Sequence, residues 1–382
     1  MIEIMSIVRR IASVDVINAS LIIALCSAMA FGQTAAVVKC PEKSKQKAVK
    51  LKDAGKYESA SYTGSGRSGK YASWFEAPRT SDLADSMSEK AIAVRSNVYV
   101  SICVKQGTVK VNGWARDEVR AFLKGGKELD FKVIERAGKD KMPVWIEILE
   151  IASGTKGSPG DKCLSGDLIE LDVPEGASIT IKGLSSETSI DTVKRVTIEI
   201  VGGDILLNNI ADRIDASTQQ GGVTVNNSSG KVSVATTTGS IVAYNTVSVE
   251  TGDYFKAKTR SGAVTLQSIG QKEVIASSIS GSINYLGEIK NYGRYAFTTT
   301  NGLINLVIPP ESSFWITAAF GGQFVTDFPV TVITENETDS AVYLNGRVGK
   351  GEASLNLRSF SGSIRIRKQE TPGAGPVEVR VL

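Results

Sequence analysis

The sequence predicts an all-β protein, with a β-solenoid of about 20-residue coils as its larger part and a small β-strand unit ahead of it. Three observations carry this. Eight glycines recur at near-regular spacing, each with an apolar residue two positions later. Apolar residues also stand seven and five positions before each glycine, with Thr317 the one polar exception. Upstream of the repeat, Ala91 to Val173 alternates apolar and polar residues with the period of two that marks half-buried strands.

Taken in order, residues 1–30 read as a secretory signal peptide. Arg9 and Arg10 supply its basic start, Leu21 to Cys26 its apolar stretch, and Ala28-Met29-Ala30 a small-residue cleavage site before Phe31. The apolar stretch falls short of the roughly 20 residues a spanning helix needs. An uncleaved anchor is the alternative, and lipid attachment at Cys26 is disfavoured by the bulky Leu25 before it. Residues 31–90 form a basic polar linker, in which Lys43, Lys45, Lys47, Lys50, Lys52 and Lys56 lie among few branched apolar residues. A solvated charge run explains it better than contact with acidic envelope polymers or lipid headgroups. Residues 91–173 are the β-rich unit, with strand patterns at Val98 to Val104, Val144 to Ile148 and Leu168 to Val173, the last two separated by a Gly/Ser/Lys loop. Residues 174–369 carry the repeat, and 370–382 are a tail.

The repeat is anchored on Gly203, Gly221, Gly239, Gly262, Gly281, Gly302, Gly322 and Gly362, at spacings of 18, 18, 23, 19, 21, 20 and 40 residues. The last spacing equals two repeat lengths, so one coil is disguised or replaced by an insertion, and a weaker unit around Ile181 and Ile190 opens the series. Each unit offers two short strands joined at a glycine corner, where glycine tolerates positive φ. A single unit has too few apolar residues to bury a core, but stacked units align them into continuous columns. The ends of such a stack need covering against edge-to-edge pairing. The β-rich unit serves one end. Phe314, Trp315, Phe320, Phe324 and Phe328, with the charged loop through Glu335, Glu337 and Asp339, serve the other.

Composition narrows the chemistry. The 382 residues contain no histidine, which removes Ser-His-Asp and Cys-His hydrolases and the usual His-containing zinc and haem sites. The net charge of +4 is weak, and no nucleic-acid-binding module is recognisable. Signal cleavage leaves Cys40, Cys103 and Cys163 in an oxidising compartment. Cys103 is paired with Cys163 because both fall in one candidate domain; the alternative leaves all three unpaired. Their spacings match no compact metal knuckle.

Two segments carry a family resemblance. One is Gly107-Thr-Val-Lys-Val-Asn-Gly113-Trp114-Ala-Arg-Asp-Glu118-Val119. The other runs from Phe328-Pro329 through Asn345-Gly346-Arg-Val-Gly349-Lys-Gly351 to Ser361-Gly362-Ser-Ile364. In their order the chain resembles the bacterial putative-adhesin family of secreted and envelope proteins over about Ala91 to Lys368. The resemblance implies a domain with no established catalytic residues, and this chain departs from it in the long linker, the loop around Cys163 and the three mature thiols.

Outward positions after the register glycines hold one carboxylate, Asp204, so paired catalytic carboxylates are not expected. Lys256, Lys258 and Arg260 share a face as a basic stripe. No Gly-Gly-x-Gly-x-Asp calcium series, Walker loop or dinucleotide fingerprint occurs, and no cofactor or metal is expected. These readings together predict an exported, non-enzymatic protein of the cell envelope. It binds a polysaccharide or an envelope protein through a repetitive Ser/Thr/Asn-rich face, by avidity. The alternatives are a polysaccharide lyase or hydrolase using Lys258 or a carboxylate groove, and an envelope scaffold docking a membrane partner through Trp114.

Overall fold

The computed structural model describes residues 86–151, 163–338 and 342–370, and no helix occurs among them. The signal peptide expected over 1–30, the linker up to residue 85, Cys40 and the tail after residue 370 lie outside the described residues. The described strands join into one open, mostly parallel sheet of 25 strands.

The first seven strands are β1 (Met87–Ala93), β2 (Tyr99–Trp114), β3 (Glu118–Lys124), β4 (Glu128–Ala137), β5 (Met142–Ile151), β6 (Leu164–Pro174) and β7 (Ser178–Asp191). β2 is their centre. It pairs in parallel with β7 on one side and with β5 and then β6 on the other. β3 runs antiparallel on β6, β1 antiparallel on β3, and β4 antiparallel on β5. Antiparallel strands thus cover the outer edge of the parallel stack. Chain order and spatial order differ here, since β6 lies outside β2 although it follows it.

From β7 onward the chain lays down strand pairs: β8 (Arg195–Gly202) with β9 (Ile205–Asn208), β10 (Arg213–Gln220) with β11 (Val223–Asn226), and β12 (Lys231–Thr238) with β13 (Ile241–Thr246). They continue with β14 (Tyr254–Ser261) and β15 (Val264–Ile269), β16 (Glu273–Ser280) and β17 (Ile283–Leu286), and β18 (Arg294–Asn301) and β19 (Ile304–Ile308). The even-numbered strands pair with one another in parallel and the odd-numbered ones do likewise, giving two ladders. β7 starts both, pairing β8 along its first half and β9 along its second.

Register is kept from pair to pair, so side chains of one kind stack. Val196, Ile214, Val232, Phe255, Val274 and Tyr295 are successive partners in the even ladder and are all buried. Ile205, Val223, Ile241, Val264, Ile283 and Ile304 do the same in the odd ladder. Together the two ladders bury one continuous apolar cluster. One coil buries too few such side chains to offset the entropy of ordering its own backbone, so no coil stands alone.

The 40-residue gap between Gly322 and Gly362 has a topological cause. After β19 come β20 (Phe314–Phe320), β21 (Phe324–Thr326), β22 (Thr331–Glu337), β23 (Val342–Val348), β24 (Ala353–Ser359) and β25 (Ile364–Lys368). β24 pairs with β18 on one side and β20 on the other, and β25 lies likewise between β19 and β21. The last pair is therefore inserted inside the one that precedes it in sequence. The extra residues form β22 and β23, which run antiparallel and cover the outer edge of β20. Phe314 and Phe328 meet edge to face at 5.9 Å beneath this cover, whereas Trp315 is 45% exposed. No helix of the described residues is long and apolar enough to cross a membrane.

Candidate ligand-binding face

The corner glycines form a stack whose spacing leaves no room for side chains. A Cβ on Gly221, Gly239, Gly262, Gly281, Gly302 or Gly362 would stand 2.0–2.2 Å from the carbonyl oxygen of the register glycine in the adjacent coil. Positive φ, expected from the sequence as the reason for glycine, holds at Gly203, Gly221, Gly239 and Gly262 but not at Gly281, Gly302, Gly322 or Gly362. Close approach of neighbouring backbones is the requirement most of the column shares; at Gly322 the nearest atom is the Ser363 hydroxyl, at 2.6 Å.

Three residues before six of these glycines stands a buried Thr or Ser, a signal the apolar register concealed. Thr236 Oγ1 donates to the Gly221 carbonyl at 2.8 Å, Thr259 to Gly239 at 3.0 Å, Ser278 to Gly262 at 3.0 Å and Thr299 to Gly281 at 2.9 Å. Thr218 and Ser359 do the same to Gly203 and Gly302. Each hydroxyl ties one coil to the next. At the opposite corner Asn209, Asn227 and Asn245 adopt left-handed φ of 47–54°, and the Asn245 amide donates to Asn227 Oδ1 at 3.3 Å.

The register held from strand to strand lines up the outward side chains of the even ladder in rows. One straight row of partners runs Lys258, Ser277, Thr298, Arg358, Ala319, Tyr343 across six strands. A parallel row runs Tyr254, Glu273, Arg294, Ser354, Trp315, Arg347. At the glycine end of these strands Arg260, Ile279, Thr300 and Phe360 occupy the place two residues before each corner.

Where the rows approach the covered end they enclose a groove of about 560 Å³ whose walls include Thr298, Thr300, Thr317, Tyr343, Arg358 and Phe360. Tyr343 is 48% and Phe360 62% exposed. A second groove of about 440 Å³ lies further back on the same face, beside Lys258, Arg260 and Thr237. The sequence places the basic stripe on one face but holds no pattern that joins it to Arg358, Tyr343 and Phe360. They are adjacent only because β24 is inserted beside β18.

The stripe is only partly neutralised. Lys256 sits over the Tyr254 ring with Nζ 4.0 Å from its centroid, and Arg347 lies 5.8 Å from that of Trp315. Arg294 pairs with Glu273 at 3.1 Å. Lys258, Arg260 and Arg358 form no ion pair among the described residues.

The Ser/Thr/Asn-rich face expected from the sequence is that of the odd ladder. There Thr224, Thr265, Asn284 and Asn305 face outward beside the exposed Leu206 and Val325, with Arg365 near the end. It is nearly uncharged, whereas the even ladder is not. Cys103 and Cys163 form a disulfide joining β2 to the chain just ahead of β6. Trp114 is a corner fixture: it is half-buried, its Nε1 donates to the Glu118 carbonyl at 2.8 Å, and the Arg116 and Arg120 guanidinium groups lie 4.8 and 5.4 Å from its ring. Arg120 in turn pairs with Asp172. That ring is occupied from within, which leaves little for a docking partner.

No protein-family model and no curated protein matches the chain. Solved structures similar to it at low identity include the following two. A putative cell adhesion protein from Clostridium sporogenes ATCC 15579 is 14% identical, with 75% of this chain and 100% of that chain covered and a TM-score of 0.23. A putative lipid binding protein from Parabacteroides distasonis ATCC 8503 is 12% identical, with 74% and 97% covered and a TM-score of 0.30.

Proposed function

We propose that the chain is an exported, non-enzymatic β-solenoid of the cell envelope, and that it binds polysaccharide through the outer face of its even ladder. The observation that carries this reading is the groove in which Tyr343 and Phe360 present exposed rings beside Thr298, Thr300 and Thr317. Aromatic faces offer apolar area to the C–H faces of sugar rings at small entropic cost, and the hydroxyls offer hydrogen bonds without desolvating a charge. A face of repeating coils in constant register lets one polymer engage several coils, so weak contacts add through effective concentration. The non-enzymatic reading rests on the missing histidines and on a face whose outward carboxylates Glu199, Asp215 and Glu273 each lie within ion-pair distance of a cation, Lys182, Arg213 and Arg294 in turn.

Export is supported by the sequence of residues 9–30 and by a disulfide that suits an oxidising compartment. The test is a glycan array probed with the protein and with Phe360→Ala. Saturable binding to a set of glycans, weakened at least tenfold by the substitution, is the expected result. Uniform failure to bind, or binding indifferent to Phe360, removes the reading.

A further inference from the structure

The groove is not electrically neutral, and its charge selects among polysaccharides. Over the outward positions of β14, β16, β18, β24, β20 and β23 stand six cations, Lys256, Lys258, Arg260, Arg294, Arg347 and Arg358, against one carboxylate, Glu273; Glu199, which lines the rear groove with Lys258 and Arg260, lies on β8 within 3.9 Å of Lys182. The excess of five on this patch is larger than the +4 of the whole chain. Such a concentration on one face sets up a field that attracts polyanions.

We infer that the glycan bound there is acidic, bearing carboxylates on some of its sugars and neutral hydroxyls between them; this rests on the polysaccharide-binding reading above. The spacing along the row supports it. Lys258 and Arg358 are three strand steps apart, about 14 Å at the usual interstrand distance, with the uncharged Ser277 and Thr298 between them. Tyr343 follows two steps beyond Arg358, about 10 Å on the same measure. A chain laid across the strands meets, in turn, a cation, two hydroxyls, a cation and an aromatic ring.

A carboxylate suits the cation at the centre of the row. The planar guanidinium of Arg358 presents a fork of donors that matches a carboxylate in bidentate fashion. Arg358 needs no internal partner to be released, since it forms no ion pair among the described residues. Nucleic acid fits less well, because the row intersperses its cations with hydroxyls and offers one ring at its end where base stacking requires a succession of them.

The test compares polygalacturonate with its fully methyl-esterified form, which keeps the backbone and removes the charge, by titration calorimetry on the full chain. The acidic form is expected to bind at least tenfold more tightly, and its advantage to shrink as salt is raised. Lys258→Gln with Arg358→Gln should abolish that advantage while the esterified polymer binds as before. Arg367→Gln, on the odd ladder, should change neither. Equal affinity for the two polymers overturns the acidic assignment and leaves polysaccharide binding standing, whereas loss of both polymers on Phe360→Ala alone supports the shared groove. An Arg367→Gln loss as large as that of Arg358→Gln, or duplex DNA bound as tightly as polygalacturonate, also overturns it. All three variants alter exposed side chains, and an unchanged melting temperature certifies each as folded.

Discussion

Single residues decide how closely the coils stack. At Gly262 a Cβ would meet the Gly239 carbonyl oxygen at 2.0 Å, and φ is +148°. Gly262→Ala therefore combines an overlap with a conformation that L-residues avoid, and its expected cost is at least about 2 kcal/mol by urea unfolding. Thr236→Val keeps the shape and removes a hydroxyl that donates to Gly221 at 2.8 Å. Its expected cost is about 1–3 kcal/mol, because the substitution leaves the Gly221 carbonyl oxygen without that donor. Tyr285 lies in the core against Tyr295 and Phe297, with its hydroxyl donating to the Glu288 carbonyl at 2.7 Å. Burial, more than the neighbouring Tyr295 and Glu288, pushes its pKa well above the ordinary 10.0. In the unfolded chain the phenol ionises near 10, so the stabilisation is complete below that pH and is lost as pH rises toward the folded value. Tyr285→Phe should flatten the decline in stability above pH 10, read from melting temperature against pH, while weakening the protein slightly at neutral pH.

Among elements, the N-terminal unit depends on a cross-link where the repeat depends on stacking. The Cys103–Cys163 disulfide spans a sequence separation of 60 residues and holds β2 to the start of β6. In the chain-entropy account a loop of that length restricts the unfolded state by about 4 kcal/mol. Cys103→Ser with Cys163→Ser is expected to lower unfolding free energy by an amount of that order. Hydrogen exchange should localise the loss to β2, β5 and β6, since repeat strands such as β12 and β14 touch none of these. Protection lost evenly through the repeat would contradict this division.

At the scale of the molecule, the two ends share a device. Each lays a strand or strand pair outside one that is earlier or later in sequence, then covers the edge with antiparallel strands: β1, β3 and β4 at one end, β22 and β23 at the other. Covering matters because a free edge templates further pairing. It also makes the final pair, β24 and β25, internal to the stack. Truncation after Gly349 should therefore remove the seat of β20 to β23 as well, with exchange protection lost from Phe314 onward. A stack in simple chain order would lose only its last coil.

The apolar register at Val232, Val234 and Ile241 and the glycine corner at Gly239 were legible in the sequence, because strand period and turn geometry are local properties. The hydroxyl ladder of Thr236 and its equivalents also stands in the sequence, three residues before six of the eight corners, but a polar residue at that place does not announce its burial. The candidate face was only half legible: Lys258 and Arg260 announced a shared face, while Arg358, Phe360 and Tyr343 gave no sign of joining it. Their meeting depends on which strand β24 pairs with, a choice among distant and similar edges that no local pattern encodes. The sequence by itself determined an all-β chain of repeating strand pairs with glycine corners. Only the tertiary structure decided the spatial order of the last coils, and with it the side chains that share the groove.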